Sequence, residues 1–184
     1  MSGIVLNFAL FQLTWFASVY CAAISQPLVG PVCTLSWMAL HLYYVRERRH
    51  AELQLIVLAA LAGYLLDSLQ VLTGAISFPA QTQLGGPSPL WMVALWINLA
   101  ATLNFSMKWL RGRFALATVM GAIFGPLAYF AGSELGAIEL YGRFSMLMIA
   151  LQWSLAMPLL LWLATTTPVL QPEALVINKA KREI

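Results

Sequence analysis

Charge is scarce in this chain. Asp, Glu, Lys and Arg make up 9% of its 184 residues while 61% are hydrophobic, against roughly 25% charge in a soluble domain. With a mean hydropathy of +0.80, a soluble globule is excluded and an integral membrane protein is implied. Cysteine is rarer still: Cys21 and Cys33 stand in no CxxC or zinc-ligand spacing, and we read both as small apolar packers. The sequence also lacks a nucleophile motif, a histidine cluster and a glycine-rich phosphate loop. No catalytic constellation is visible, and no metal or cofactor is expected. Whether the protein is an enzyme stays open. Six spans of about 20 residues would use nearly the whole length, leaving no room for a soluble catalytic domain.

What is present has a regular rhythm. Three basic clusters, Arg46, Arg48 and Arg49, then Lys108, Arg111 and Arg113, then Lys179, Lys181 and Arg182, are separated by apolar stretches each long enough for two spans. The formal charge of +3 lies beside the span ends and accompanies no nucleic-acid-binding motif. The clusters therefore orient the protein in its membrane, and nucleic acid is not an expected partner. Turn residues such as Pro27, Gly30, Gly74, Gly86 and Pro89 divide the chain further. Together these features predict spans over 4–24, 28–45, 53–73, 90–110, 114–131 and 144–164, in one transmembrane domain covering 1–184. Residues 165–184 are expected to form a short cytoplasmic tail. The fold class is all-α integral membrane, with six transmembrane helices arranged as three consecutive hairpins and both termini in the cytoplasm. No Lys or Arg precedes the first apolar run, and Val19 and Tyr20 make a poor processing site, so the first span should be retained.

An offset of about 62 residues superposes Gly63 on Gly125, Gly74-Ala75-Ile76 on Gly136-Ala137-Ile138, Pro27 on Pro89, Arg49 on Arg111 and Trp91 on Trp153. Read as a weak threefold internal repeat, it places the hairpins about a pseudo-threefold axis along the membrane normal. Equal spacing of hairpins without shared descent is the alternative reading.

Asp67 is the one charge placed well inside an apolar stretch. About 14 residues into its span at about 1.5 Å each, it lies roughly 20 Å deep, where a carboxylate needs a partner or water. Gly63, Tyr64, Asp67, Gln70 and Gly74 recur at helical spacing and form one small, polar stripe facing the bundle interior. Asn98 and Thr102, with Asn104 set apart on the same span, are the amide and hydroxyl groups expected to meet the acid. The stripe is either a proton, cation or substrate site or a structural acid held by neighbouring helices. Asn7 and Gln152 are read as packing groups. Gly121, Gly125, Gly132 and Gly136 provide close helix packing around a Pro126 kink, and Glu134 and Arg143 form an outer rim. His41, without a nearby acid or cysteine partner in sequence, is read as a satisfied or interfacial histidine rather than a ligand or relay.

Several strings taken together carry a resemblance: Gly63-Tyr64-Leu65-Leu66-Asp67-Ser68; Pro89-Leu90-Trp91 through Trp96 to Thr102-Leu103-Asn104; and Gly125-Pro126 with Tyr129, Gly132 and Leu135-Gly136-Ala137. Over most of its length the chain resembles an uncharacterised family, a domain of unknown function, of small multi-pass bacterial inner-membrane proteins. The resemblance implies an inner-membrane location and genes placed near those of cyclopropane-type fatty-acyl-modifying enzymes and of membrane or lipid-binding proteins. Phe105 departs from it, standing where a histidine is expected, which weakens any histidine-dependent chemistry. Three functions follow as expectations. The first is a membrane-lipid-associated factor or enzyme that binds a lipid or acyl chain in the helix bundle. The second is a permease for a small solute, ion or lipid using Asp67, and the third is a non-catalytic scaffold presenting its glycine face to another membrane protein. Membrane lipids are the expected partners, with other membrane or lipid-modifying proteins beside them.

Overall fold

A computed structural model describes residues 2–167. Six α-helices carry the described chain: α1 (Ser2–Ala23), α2 (Val29–Tyr44), α3 (Arg49–Leu72), α4 (Leu90–Leu103), α5 (Phe114–Glu134) and α6 (Gly142–Thr166). Four stretches are long and apolar enough to cross a membrane: α1, residues 46–72, α5 and α6. Their outer faces present large apolar side chains, with Leu13, Leu65 and Leu155 each about two-thirds exposed (67%, 66% and 71%). Without water to meet them, such faces suit hydrocarbon. The chain is a mostly helical membrane protein.

Two of the six helices are shorter than the expected spans. α4 has 14 residues, about 21 Å at 1.5 Å per residue, and falls short of a hydrocarbon core about 30 Å thick. The expected span over 90–110 ends at Leu103 because Asn104 turns its amide to Glu52 and Ser106 turns to Asn7. The backbone then tightens, with the N–H groups of Phe105 and Met107 both donating to the Thr102 carbonyl. A 3-10 turn over Lys108–Leu110 carries the chain on to α5, and Trp109, expected at a helix end, lies on that turn. α2 is also short, at 16 residues. At the far end α6 stays helical through Thr166, so 165–166 belong to a span rather than a tail. Lys179, Lys181 and Arg182 lie outside the described residues.

The glycine triplets have a concrete role. α3 ends with Gly74 in the left-handed region (φ +71°), and α5 with Gly136 likewise (φ +86°). In each case the next two N–H groups close the helix in the same way: Gly74 to Val71 and Ala75 to Gln70, Gly136 to Ser133 and Ala137 to Gly132. The strands that follow, β1 (Ile76–Ser77) and β2 (Glu139–Leu140), pair antiparallel with Ser77 opposite Glu139. These two residues are 62 apart and also share a side-chain hydrogen bond of 2.6 Å. A residue lying against its own repeat equivalent sits on the axis relating the two units. The α3–α4 and α5–α6 hairpins are thus related by a local twofold axis, with α1–α2 packed against α4.

The core falls into two parts. One, nearer the basic helix ends, includes Leu55, Ala59, Ala100, Leu103, Leu110 and Leu160; the other, nearer the strands, includes Val19, Ile76, Trp91, Ala137 and Ile149. Trp153 packs against both. That junction positions the site.

Candidate functional site

Asp67 occupies the junction and is fully buried. Its Oδ2 accepts a hydrogen bond from Trp96 Nε1 on α4 at 2.7 Å. Its Oδ1 accepts from Gln152 Nε2 on α6 at 3.0 Å and from the Tyr129 hydroxyl on α5. One carboxyl therefore joins four helices through three neutral donors. Two glycines make the approach feasible. A Cβ on Gly63, one turn before Asp67, would overlap the Trp96 ring, and one on Gly125, one turn before Tyr129, would overlap that of Trp153. The two indoles thereby stack at 4.6 Å, only 7° from parallel. Gly63 and Asp67 are offset from Gly125 and Tyr129 by the same 62 residues that separate the strand partners. The acid and its tyrosine are equivalent positions of the two hairpins.

The sequence located the acid and missed its partners. Tyr64 donates instead to the Gly86 carbonyl at 2.8 Å, and Gln70 to that of Met148 at 3.0 Å. Asn98 reaches the Phe11 carbonyl on α1 at 3.0 Å. Thr102 bonds back to Leu99 within its own helix, and Asn104 bonds to Glu52 at 2.6 Å. Gly74 caps α3 rather than continuing its stripe. Glu134 and Arg143 are exposed at the strand end, and neither bonds to Asp67. Gln152, read as packing, is one of the three true donors.

Beside this cluster the twofold relation breaks down. α3 and α6 pack together, whereas their counterparts α4 and α5 are not a closely packed pair, and neither are α1 and α5. The gap is a groove of about 840 Å³ walled by Phe8 and Trp15 of α1, Leu95 and Leu99 of α4, and Phe124 and Ala128 of α5. Trp96, Tyr129 and Trp153 also line it. Two of the three donors, Trp96 and Tyr129, and the indole stack are thus part of its wall, while Gln152 and Asp67 itself are not.

A second polar cluster lies at the basic end. Glu52, buried in the first turn of α3, accepts from Asn104 at Oε1 and faces His41 Nε2 at 3.4 Å through Oε2. His41 is buried and satisfied by an acid one helix away rather than interfacial. Partial burial lowers the Arg111 guanidinium from its ordinary value, opposed by the charge of Glu52. It stays cationic, since arginine retains its proton in proteins, and donates to the Ala164 carbonyl at 3.1 Å. A cavity of about 580 Å³, lined by charged and apolar side chains together, opens beside the pair.

With this geometry in place, the comparison with known families is direct. A family described as "Protein of unknown function (DUF2878)" matches residues 4–159. The chain belongs to this family. No curated protein and no solved structure matches it. The DUF2878 match takes in Asp67 with its three donors, the groove walls and the His41–Glu52–Asn104 cluster. It also takes in Phe105, whose ring packs edge-on against His41 at 5.1 Å. The helix-packing glycines of this DUF2878 protein divide by role. Gly121 and Gly125 are filled by Trp153 of α6, Gly132 meets Ile138, and Gly136 has open space and serves the turn. Pro126 is buried within a helix that continues past it to Glu134. Three of the four glycines expected to face another membrane protein thus meet atoms of the chain itself.

Proposed function

We propose that this DUF2878 protein is a lipid-binding factor of the bacterial inner membrane, holding the hydrocarbon chain of a membrane lipid in the groove between α1, α4 and α5. The observation that carries this reading is the groove itself. At about 840 Å³ it lies within the roughly 300–1,000 Å³ range of small-molecule sites. It runs beside α1 from Ile4 to Val19, about 22 Å of helix at 1.5 Å per residue. One leaflet of a hydrocarbon core is about 15 Å thick, so a whole lipid tail fits along it. The wall is almost entirely apolar, which favours hydrocarbon over a hydrated ion. In this reading the chain is one transmembrane domain. Arg46, Arg48, Arg49, Lys108, Arg111 and Arg113 mark its cytoplasmic end, the side on which α1 begins and α6 ends.

The test is photocrosslinking in proteoliposomes with a phosphatidylglycerol carrying a diazirine on one acyl chain, followed by mapping of the labelled residues. Leu95 and Leu99 belong to the central helix and are reached by hydrocarbon through the groove. They should be labelled strongly. Ala128→Trp, which fills the groove, should reduce that labelling several-fold, whereas Leu155→Trp on the outer face of α6 should not. Labelling confined to outer faces such as Leu151 and Leu155 would sink the proposal.

A further inference from the structure

We propose that the cavity at the basic end is the headgroup site of the same lipid, and that its ligand is a lipid bearing a phosphate and a net negative charge. This rests on the groove reading and deepens it from any hydrocarbon chain to one class of amphiphile. The first support is continuity. Ile4 lines both the cavity and the groove. On the segment after α4, Asn104, Phe105 and Lys108 line the cavity while Ser106, Met107 and Trp109 line the groove. One short stretch of chain is a wall of both spaces, so a single molecule can occupy the two.

The second support is charge. Arg46 and Arg48, from the connection between α2 and α3, converge with Lys108 from beyond α4 on one concavity. None of the three is in an ion pair among the described residues, where His41–Glu52 is the one such contact. Two acids, Glu47 and Glu52, also line the cavity. The more deeply buried of them, Glu52, is already engaged at both oxygens, by Asn104 and by His41. Three cations without acidic partners therefore face the cavity beside an acid that the fold has occupied. Lys and Arg are the side chains that hold phosphate oxygens, Arg by paired N–H groups and Lys as a point charge. The order of environments, cations at the rim followed by about 22 Å of apolar groove, is that of an anionic lipid held by head and tail.

The experiment uses the full chain in a neutral detergent. Binding in mixed micelles is measured for three probes: dioleoyl phosphatidate, dioleoyl phosphatidylcholine and inorganic phosphate. Phosphatidate should bind best, with inorganic phosphate at least about tenfold weaker because it gains nothing from the groove. Arg46→Gln with Lys108→Gln should weaken phosphatidate binding about tenfold or more, at about 1 kcal/mol for each basic residue near an anionic lipid. The matched pair Arg49→Gln with Arg113→Gln, basic positions at the same end outside the cavity, should change it less than about twofold if the cavity rather than diffuse rim charge is responsible. Ala128→Trp should weaken phosphatidate and leave inorganic phosphate unchanged. Equal losses in the two glutamine pairs would overturn the headgroup site. So would phosphatidylcholine binding as tightly as phosphatidate, although the groove reading would then survive. Inorganic phosphate binding as tightly as phosphatidate would make the free ion the ligand and overturn the lipid assignment. Binding of neither lipid would overturn the groove reading together with the inference built on it.

Discussion

Gly121→Ala is expected to lower the thermal unfolding midpoint in detergent more than any other single methyl addition in α5. The added Cβ would overlap the Trp153 carbonyl oxygen and lie 2.8 Å from the carbonyl carbon. Both are backbone atoms of α6 and cannot rotate away, so the two helices must separate along a densely packed seam. Overpacking of this kind costs typically about 1–3 kcal/mol and occasionally more, and the rigidity of the obstacle puts this case at the upper end. Gly132→Ala is the contrast, since its nearest obstacle is Ile138 Cδ1 at 3.0 Å, the mobile end of a side chain. Its loss should be small. Comparison of the two variants by fluorescence-detected size exclusion after heating decides the matter, and equal midpoints would refute the packing described for α5 and α6.

The second large effect is expected at Asp67. Removal of the carboxyl in Asp67→Ala strands the Trp96 indole N–H, the Tyr129 hydroxyl and the Gln152 amide, all buried. An unsatisfied buried donor costs about 1–3 kcal/mol, so the three together amount to several kcal/mol and threaten the fold. Asp67→Asn keeps an acceptor for Tyr129 and Gln152 but turns an amide donor towards Trp96, so its loss should be intermediate. The predicted order of stability is Asp, then Asn, then Ala. An alanine variant as stable as the parent would show that the carboxyl does not hold the four helices together.

The helices were legible because their limits are written in local chemistry: basic clusters, prolines and the two Gly-Ala-Ile turns. The end of α4 was not, because hydropathy continues through Trp109 and Leu110 while Asn104 and Ser106 leave the helix for partners on α3 and α1. Asp67 stood out as a lone charge in hydrocarbon. Its donors did not, since Trp and Tyr read as apolar bulk, and which face of α4 meets α3 depends on helix rotation that spacing leaves open. Asn98 and Thr102 looked suited to the acid by type, yet Asn98 bonds to α1 and Thr102 bonds back along α4. The 62-residue offset held the missing information, for it carries Asp67 onto Tyr129 and Ser77 onto Glu139, two pairs that touch. Glu52 was overlooked because, four residues from Arg48, it reads as part of a solvated run, whereas it is buried against His41.

The strand pair and the Asp67 cluster both fasten the α3–α4 and α5–α6 hairpins in the half of the molecule that carries β1 and β2. The other half is closed as well, by the core in which Leu55 and Ala59 of α3, Leu103 of α4 and Leu160 of α6 pack together. The two hairpins are therefore riveted at both ends by different chemistry, directional hydrogen bonds near the strands and non-directional hydrocarbon packing near the basic clusters.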